Sequence, residues 1–327
     1  MSEDKQANLS VVSDASDSKT GGEKNAKETL AKKKPAAPPP WPTFLQTASD
    51  KDIKQRFSSE CKEILSRYDR LLSQYCILAL LDQGSSIGGY ELDRIFSALN
   101  RLNKNREKDI LLLLLSTGGS IEPAYQISKL CKLNSKNKFV VAVPRQAKSA
   151  ATLLAIGADE IHMGPLGQLG PIDPQLGGLP ALGVTQALER IAALSERFPG
   201  SSDMFARYLQ EALTVEQIGY CERISESAAQ YAERLLSTNA SLPSSADKVA
   251  HELVHEYKHH GFVIDLDEAR QHLGKDWINT DTEEVSLAEE IYSLLEEVNL
   301  FLEFINSKHI LVLGGFDEDV LVLSQKK

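Results

Sequence analysis

The run Asp109-Ile-Leu-Leu-Leu-Leu-Leu115, closed by Ser116-Thr-Gly-Gly119, constrains this chain more than any other stretch. Ile110 to Leu115 is unbroken apolar sequence. It shows neither the alternation of a half-solvated strand nor the 3.6-residue period of a surface helix, so both of its faces must be covered. A short run of this kind ended by a glycine turn reads as a central strand of a parallel sheet. Around it, helical and strand signals alternate. Ile53 to Tyr75 has helical spacing, Cys76 to Leu81 is a short apolar run, and Tyr90 to Leu102 is helical again. After the Gly-Gly turn come a helix through Leu133, a strand over Lys138–Val143, a helix from about Ala147 to Gly157 and a strand over about Glu160–Met163. Such alternation predicts βαβ units, hence an α/β fold.

The texture changes after Met163. Gly164 to Gly183 is dense in Gly and Pro and reads as a long functional loop. Beyond it the pattern is helical over Val184–Arg197, Asp203–Ala212, Thr214–Leu236, Ser245–His259 and Ser286–Phe304. Thr214 with Gln217 three residues on forms a capping-box signature. Ile310–Leu313 and Val320–Leu323 are strand-like pieces around Gly314-Gly315, suited to a small hairpin or an assembly arm. Residues 1–42, rich in Ser, Asp, Lys, Ala and Pro, are expected to be a disordered tail. Residues 43–280 are expected to form the main domain, with 281–327 adding a helix and short strands.

The chain has 327 residues and a formal net charge of −10. That acidic balance argues against a nucleic-acid partner. No apolar run approaches the ~20 residues of a membrane span, so contact with a membrane would be peripheral at most. Four scattered cysteines without a CxxC pair, and an N-terminus without an apolar secretory core, point to a cytoplasmic protein. GxxxxGK[ST] and GxGxxG are both missing, and no cofactor is expected.

Two strand-to-helix turns carry the chemistry. In the first, Gly118 and Gly119 permit a tight turn that leaves backbone N–H groups uncovered for a developing oxyanion. In the second, Pro144-Arg-Gln-Ala-Lys-Ser-Ala-Ala151, Ser149 opens a helix beside Lys148 and the small Ala150 and Ala151. A serine at that place is either a helix N-cap or a nucleophile that small neighbours leave open to a carbonyl.

Ser116-Thr-Gly-Gly-Ser-Ile121 followed by Gln146-Ala-Lys-Ser-Ala-Ala-Thr-Leu-Leu-Ala-Ile-Gly-Ala-Asp-Glu-Ile161 resembles the Clp/crotonase superfamily. Within it, the chain is most similar to the serine dehydrogenase proteinases, soluble prokaryotic relatives of signal peptide peptidase A. Leu169-Gly-Pro-Ile-Asp-Pro-Gln175, Tyr231-Ala-Glu-Arg-Leu-Leu236 and His260-Gly-Phe-Val-Ile264 continue the likeness, which covers roughly residues 60–280. The resemblance implies a core of repeated ββα units with a helical C-terminal region, and ATP-independent serine peptidase activity on a peptide or protein substrate. It also implies a homo-oligomer. Ser149 takes the place of the nucleophile, the Ala150 N–H one oxyanion donor, and Gly118 or Gly119 the other. The peptide would lie beside the loop that holds Gly170 and Asp173.

The chain departs from the family at the base. The Clp-type histidine position falls near Ile172 and Asp173, and no lysine occurs between Lys148 and Lys248. His260 and Lys148 remain as candidates, with Asp173 placed to orient a histidine. The absent textual base also motivates a non-catalytic binding or assembly module. A third alternative is zinc. His251-Glu-Leu-Val-His255 is a literal HExxH, in which His251 and His255 would share a helix face and Glu252 would activate water, with Glu283, Glu284 or Glu289 as a further ligand.

Overall fold

The computed structural model describes residues 38–324 apart from 83, 85, 177 and 178. Most of the expected tail, 1–37, lies outside the described residues, and from Pro40 onward the chain forms one compact unit. Helix α1 (Trp41–Leu45) already buries Trp41 and Leu45. The helical pattern of Ile53 to Tyr75 is two helices rather than one, α2 (Asp50–Leu65) and α3 (Asp69–Gln74), broken at Ser66–Tyr68. Ser49 and Asp52 start α2 with a reciprocal capping box.

The parallel sheet is then laid down by β1 (Tyr75–Asp82), α4 (Gly89–Leu102), β2 (Asp109–Ser116), α5 (Ile121–Asn134) and β3 (Phe139–Val143). The chain continues through β4 (Gln146–Ala147), α6 (Ala150–Ala155), β5 (Glu160–Met163) and β6 (Gln168–Leu169). Beyond a two-stranded hairpin of β7 (Gln175–Leu176) and β8 (Leu179–Pro180) come α7 (Ala181–Arg197), α8 (Ser202–Ala212) and α9 (Val215–Leu236). The rest is α10 (Ala246–His251), α11 (Leu266–Leu273), β9 (Ile278–Asn279), α12 (Glu283–Asn306), β10 (Lys308–Gly314) and β11 (Val320–Ser324).

The main sheet runs β11-β10-β1-β2-β3-β5-β9, with β1, β2, β3, β5 and β9 parallel. The apolar run explains its centre. Ile110, Leu112 and Leu114 point into one core with α4, α5, α6 and α9, while Leu111, Leu113 and Leu115 point into the other with α1, α2 and α12. Both faces of β2 are covered, as its unbroken hydrophobicity requires. The C-terminal pieces form a hairpin, not an arm, and it extends the sheet by antiparallel pairing of β10 with β1. The short β4 pairs with the last residue of β2 on one side and with β6 on the other, starting a second small layer at the carboxyl end of the sheet. Open α/β sheets place their ligands at that end.

The expected helix Ala147–Gly157 is shorter, because Gln146 and Ala147 are spent in β4. The expected helix Ser245–His259 stops as an α-helix at His251 and passes through one π-helical turn, Glu252–Glu256. Thr214 and Gln217 do form the predicted capping box of α9. Cys61, Cys76, Cys131 and Cys221 are all buried and unpaired, and burial pushes the Cys76 thiol up to about 11. Among the described residues no helix is long and apolar enough to cross a membrane.

Candidate active site

Ser149 sits where β4 turns into α6, with φ 52° and ψ −120°. A non-glycine residue there carries strain of order 1–3 kcal/mol, which the surroundings must hold in place. They do so from both sides. The Lys148 N–H donates to the Ser116 carbonyl (3.0 Å) and the Leu153 N–H to the Ser149 carbonyl (3.1 Å). Ser149 occupies the N-cap position of α6, yet its hydroxyl makes no capping bond.

The glycine turn lies against this serine. Gly118 has φ 112°, and a Cβ added there would meet the Ser149 Cβ at 2.7 Å and the Lys148 carbonyl at 2.8 Å. Gly119 is pressed against the Ile87 backbone in the same way, with φ 151°. The Gly118 N–H is occupied by Ser116 Oγ (3.1 Å). The N–H groups of Gly119 and Ala150 have no acceptor among the described residues.

The Gly/Pro-rich loop closes over the opposite side. Gly170 donates its N–H to Thr152 Oγ1 (3.0 Å), which in turn donates to the Ala147 carbonyl (2.6 Å). Thr152 is fully buried and ties the loop to the turn that holds Ser149, a link that no local sequence signal marks. A Cβ on Gly170 would fall 2.5 Å from Lys148 Cδ, so this glycine admits the lysine stem. Lys148 Nζ donates to the carbonyls of Leu169 (3.1 Å) and Phe262 (2.9 Å), and burial lowers its pKa. Leu169 also pairs with Ile264 through two backbone bonds of 2.9 and 3.1 Å. This pairing draws the distant segment 257–264 to the site. There His260 Nδ1 lies 3.7 Å from Oδ2 of the buried Asp173. His260 Nδ1 and Asp173 Oδ1 are both buried and unpartnered among the described residues.

Residues 91–197 match the family described as ClpP-like SDH-type serine proteinase. The resemblance is to the SDH-type serine proteinases. The match spans Gly118, Gly119, Lys148, Ser149 and Asp173, and ends before His260. Two uncharacterised proteins of Methanocaldococcus jannaschii are 40% identical over 88 residues and 36% identical over 78 residues. Those stretches are 27% and 24% of this chain, and the chain spans only 30% and 27% of the relatives' own lengths. Among solved structures, a membrane-bound stomatin-specific protease in complex with a substrate peptide matches at 15% identity and TM-score 0.41, over 77% of this chain and 88% of its own. ClpP1 from Listeria monocytogenes matches at 14% identity and TM-score 0.38, over 63% and 94%.

The HExxH motif lies outside the SDH-type match, and the structure engages its glutamate away from its histidines. The His251 and His255 rings stack at 4.7 Å, but Glu252 turns to His272 Nδ1 (3.0 Å) and His251 faces Glu256 (3.6 Å). The acids named as a third ligand are engaged on α12. Glu283 and Glu284 pair with Arg70, and Glu289 pairs with Arg145. Among the described residues no group of three or more His, Cys, Asp or Glu side chains is placed to hold a metal ion. For the zinc alternative through His251, Glu252 and His255, the described residues thus offer a glutamate paired with His272 and no third ligand. His255 is instead half-buried near Asp173, and burial followed by the neighbouring His251 lowers its pKa.

Proposed function

We propose that this chain hydrolyses peptide bonds through Ser149. The family matched by residues 91–197 is one of serine proteinases, and the observation that carries the reading is the uncapped, left-handed Ser149 between Gly118 and Lys148. Ser149 Oγ attacks the scissile carbonyl while His260 Nε2 takes the hydroxyl proton. Negative charge collects on the carbonyl oxygen, where the N–H groups of Gly119 and Ala150 receive it. Gly118 is set aside as a donor because Ser116 already holds its N–H. The intermediate collapses, His260 returns the proton to the leaving amine, and the acyl group stays on Ser149. Water, deprotonated by His260, then releases the acid and restores the serine.

Asp173 orients His260 and balances the imidazolium. Their 3.7 Å separation is longer than a hydrogen bond, and such contacts tighten when substrate is bound. Lys148, whose ammonium is committed to two carbonyls, holds the loop at Leu169 and Phe262 in place. An extended peptide lies along the loop that holds Gly170. We place the protein in the cytoplasm, consistent with its unpaired cysteines, and as a homo-oligomer.

The test is intact-mass labelling by a fluorophosphonate. One adduct per chain that disappears in Ser149→Ala and slows sharply in His260→Ala is expected. No adduct on the wild type overturns the peptidase and leaves a binding or assembly module.

A further inference from the structure

The Glu252 of the HExxH motif is not idle, and what it joins bears on the histidine of the site. Glu252 Oε2 lies 3.0 Å from His272 Nδ1. His272 Nε2 lies 2.8 Å from Tyr257 Oη, and Tyr257 Oη donates to Glu268 Oε1 at 2.7 Å. Four side chains thus clamp the end of the π turn to α11. Tyr257 is the outlet of this clamp. Its ring packs on Phe262 (centroids 4.9 Å apart), and it is the first residue of the segment that carries His260.

That segment has little else to hold it. The N–H groups of Gly261 and Phe262 donate within the turn, to His259 Nδ1 (3.1 Å) and the His259 carbonyl (3.0 Å). Its far end is tied by Phe262 O to Lys148 and by Ile264 to Leu169. The near end depends on Tyr257. His260 sits between the two ties, 3.7 Å from Asp173.

We propose that Tyr257 is a positioning residue that, through the His272–Glu252–Glu268 cluster, fixes the backbone of the 257–264 segment and so sets where His260 stands against Asp173. This rests on the reading of His260 as the base of a serine peptidase. The cluster touches neither the serine nor the oxyanion donors, so its effect runs through orientation. A displacement of about 1 Å in such a group costs on the order of 100-fold in rate.

Tyr257→Phe keeps the ring on Phe262 and removes only the hydroxyl. In the full chain it is expected to lower kcat about ten- to a hundredfold with KM little changed, and to slow fluorophosphonate labelling of Ser149 in parallel. Amide exchange at Phe262 and Ile264 should quicken while that of β2 stays as in the wild type. His272→Gln serves as the second variant. Glu268→Gln, whose amide oxygen still accepts from Tyr257, should restore both rate and exchange to within about twofold of wild type.

Unchanged exchange in Tyr257→Phe overturns the proposal. So does faster exchange with kcat intact, since the cluster would then only brace a surface loop. A wild type that neither labels nor hydrolyses sinks the peptidase reading instead. The positioning role is then decided by exchange and by the His260 imidazole resonance, which must shift in Tyr257→Phe if the role is real.

Discussion

Ser149 is held in a backbone conformation that most residues avoid, between backbone bonds made by Lys148 and Leu153 and a glycine that leaves no room for a side chain. Gly118→Ala adds a methyl group at 2.7 Å from Ser149 Cβ and 2.8 Å from the Lys148 carbonyl, at a φ of 112°. The turn must open, so we expect about 1–3 kcal/mol of lost stability. Ser149 labelling should fall more than the stability change alone accounts for. Urea unfolding and labelling rate on the same preparation check this. Lys148 offers a sharper contrast with His260. If its ammonium is a strap between Leu169 and Phe262, Lys148→Met weakens the loop but leaves a slower, measurable label. His260→Ala then costs far more. The reverse ranking would move the base to Lys148, whose pKa burial has already lowered.

At the scale of elements, β5 and the start of α12 enclose His162, which is buried and contacts Thr282 Oγ1 at 2.8 Å, Glu160 at 3.3 Å and Glu284 at 3.7 Å. Burial lowers its pKa more than Glu284 and Glu160 raise it. A histidine whose folded pKa lies below its unfolded value near 6.5 binds its proton more readily when unfolded. Its contribution is thus intact above about pH 6.5 and is lost as pH falls through that value. The urea midpoint should therefore drop between neutral and mildly acidic pH, and His162→Gln should flatten that slope. Some slope will persist, because His255 is shifted in the same direction. The π turn makes a separate prediction. With Glu252 committed to His272, chelators should leave the hydrolysis rate unchanged and the purified protein should carry no stoichiometric zinc. A rate lost on chelation and restored by zinc would reinstate the HExxH site.

These elements also mark how far the sequence could be read. The centre of the sheet was legible because Ile110 to Leu115 obeys a local rule, burial on both faces. Ser149 was legible as a place, at a strand-to-helix turn with small neighbours, but the choice between cap and nucleophile is not written in the local sequence; its positive φ and missing cap bond are what support the proposed role. The helix end at His251 was illegible, since apolar spacing continues through Leu253 and Val254 and both are buried. Convergence of Asp173 with His260 leaves no local trace either. It depends on the Leu169–Ile264 pairing and on Thr152, contacts between segments far apart in the chain.

For the molecule as a whole, α8 poses the remaining question. It is amphipathic, with Met204, Phe205, Tyr208 and Leu209 spaced along one side, yet it buries no residue within the chain, and Met204 and Tyr208 are 60% and 66% exposed. Phe198 and Tyr220 are exposed close by in sequence, on the adjoining turns and α9. An isolated helix shorter than about 12–15 residues is marginal in water, so an 11-residue helix with no buried face needs another surface to persist. A second copy of the chain supplies one in the homo-oligomer proposed above. The formal charge of −10 per chain opposes that contact, and added salt screens it. Sedimentation velocity should accordingly show a self-association that strengthens as salt is raised. Met204→Glu combined with Tyr208→Glu should yield a monomer with less helix by circular dichroism, because α8 would then have nothing to fold against. A double variant that stays associated would place the interface elsewhere, and a wild type that is monomeric with full helicity would mean that α8 is stable on its own.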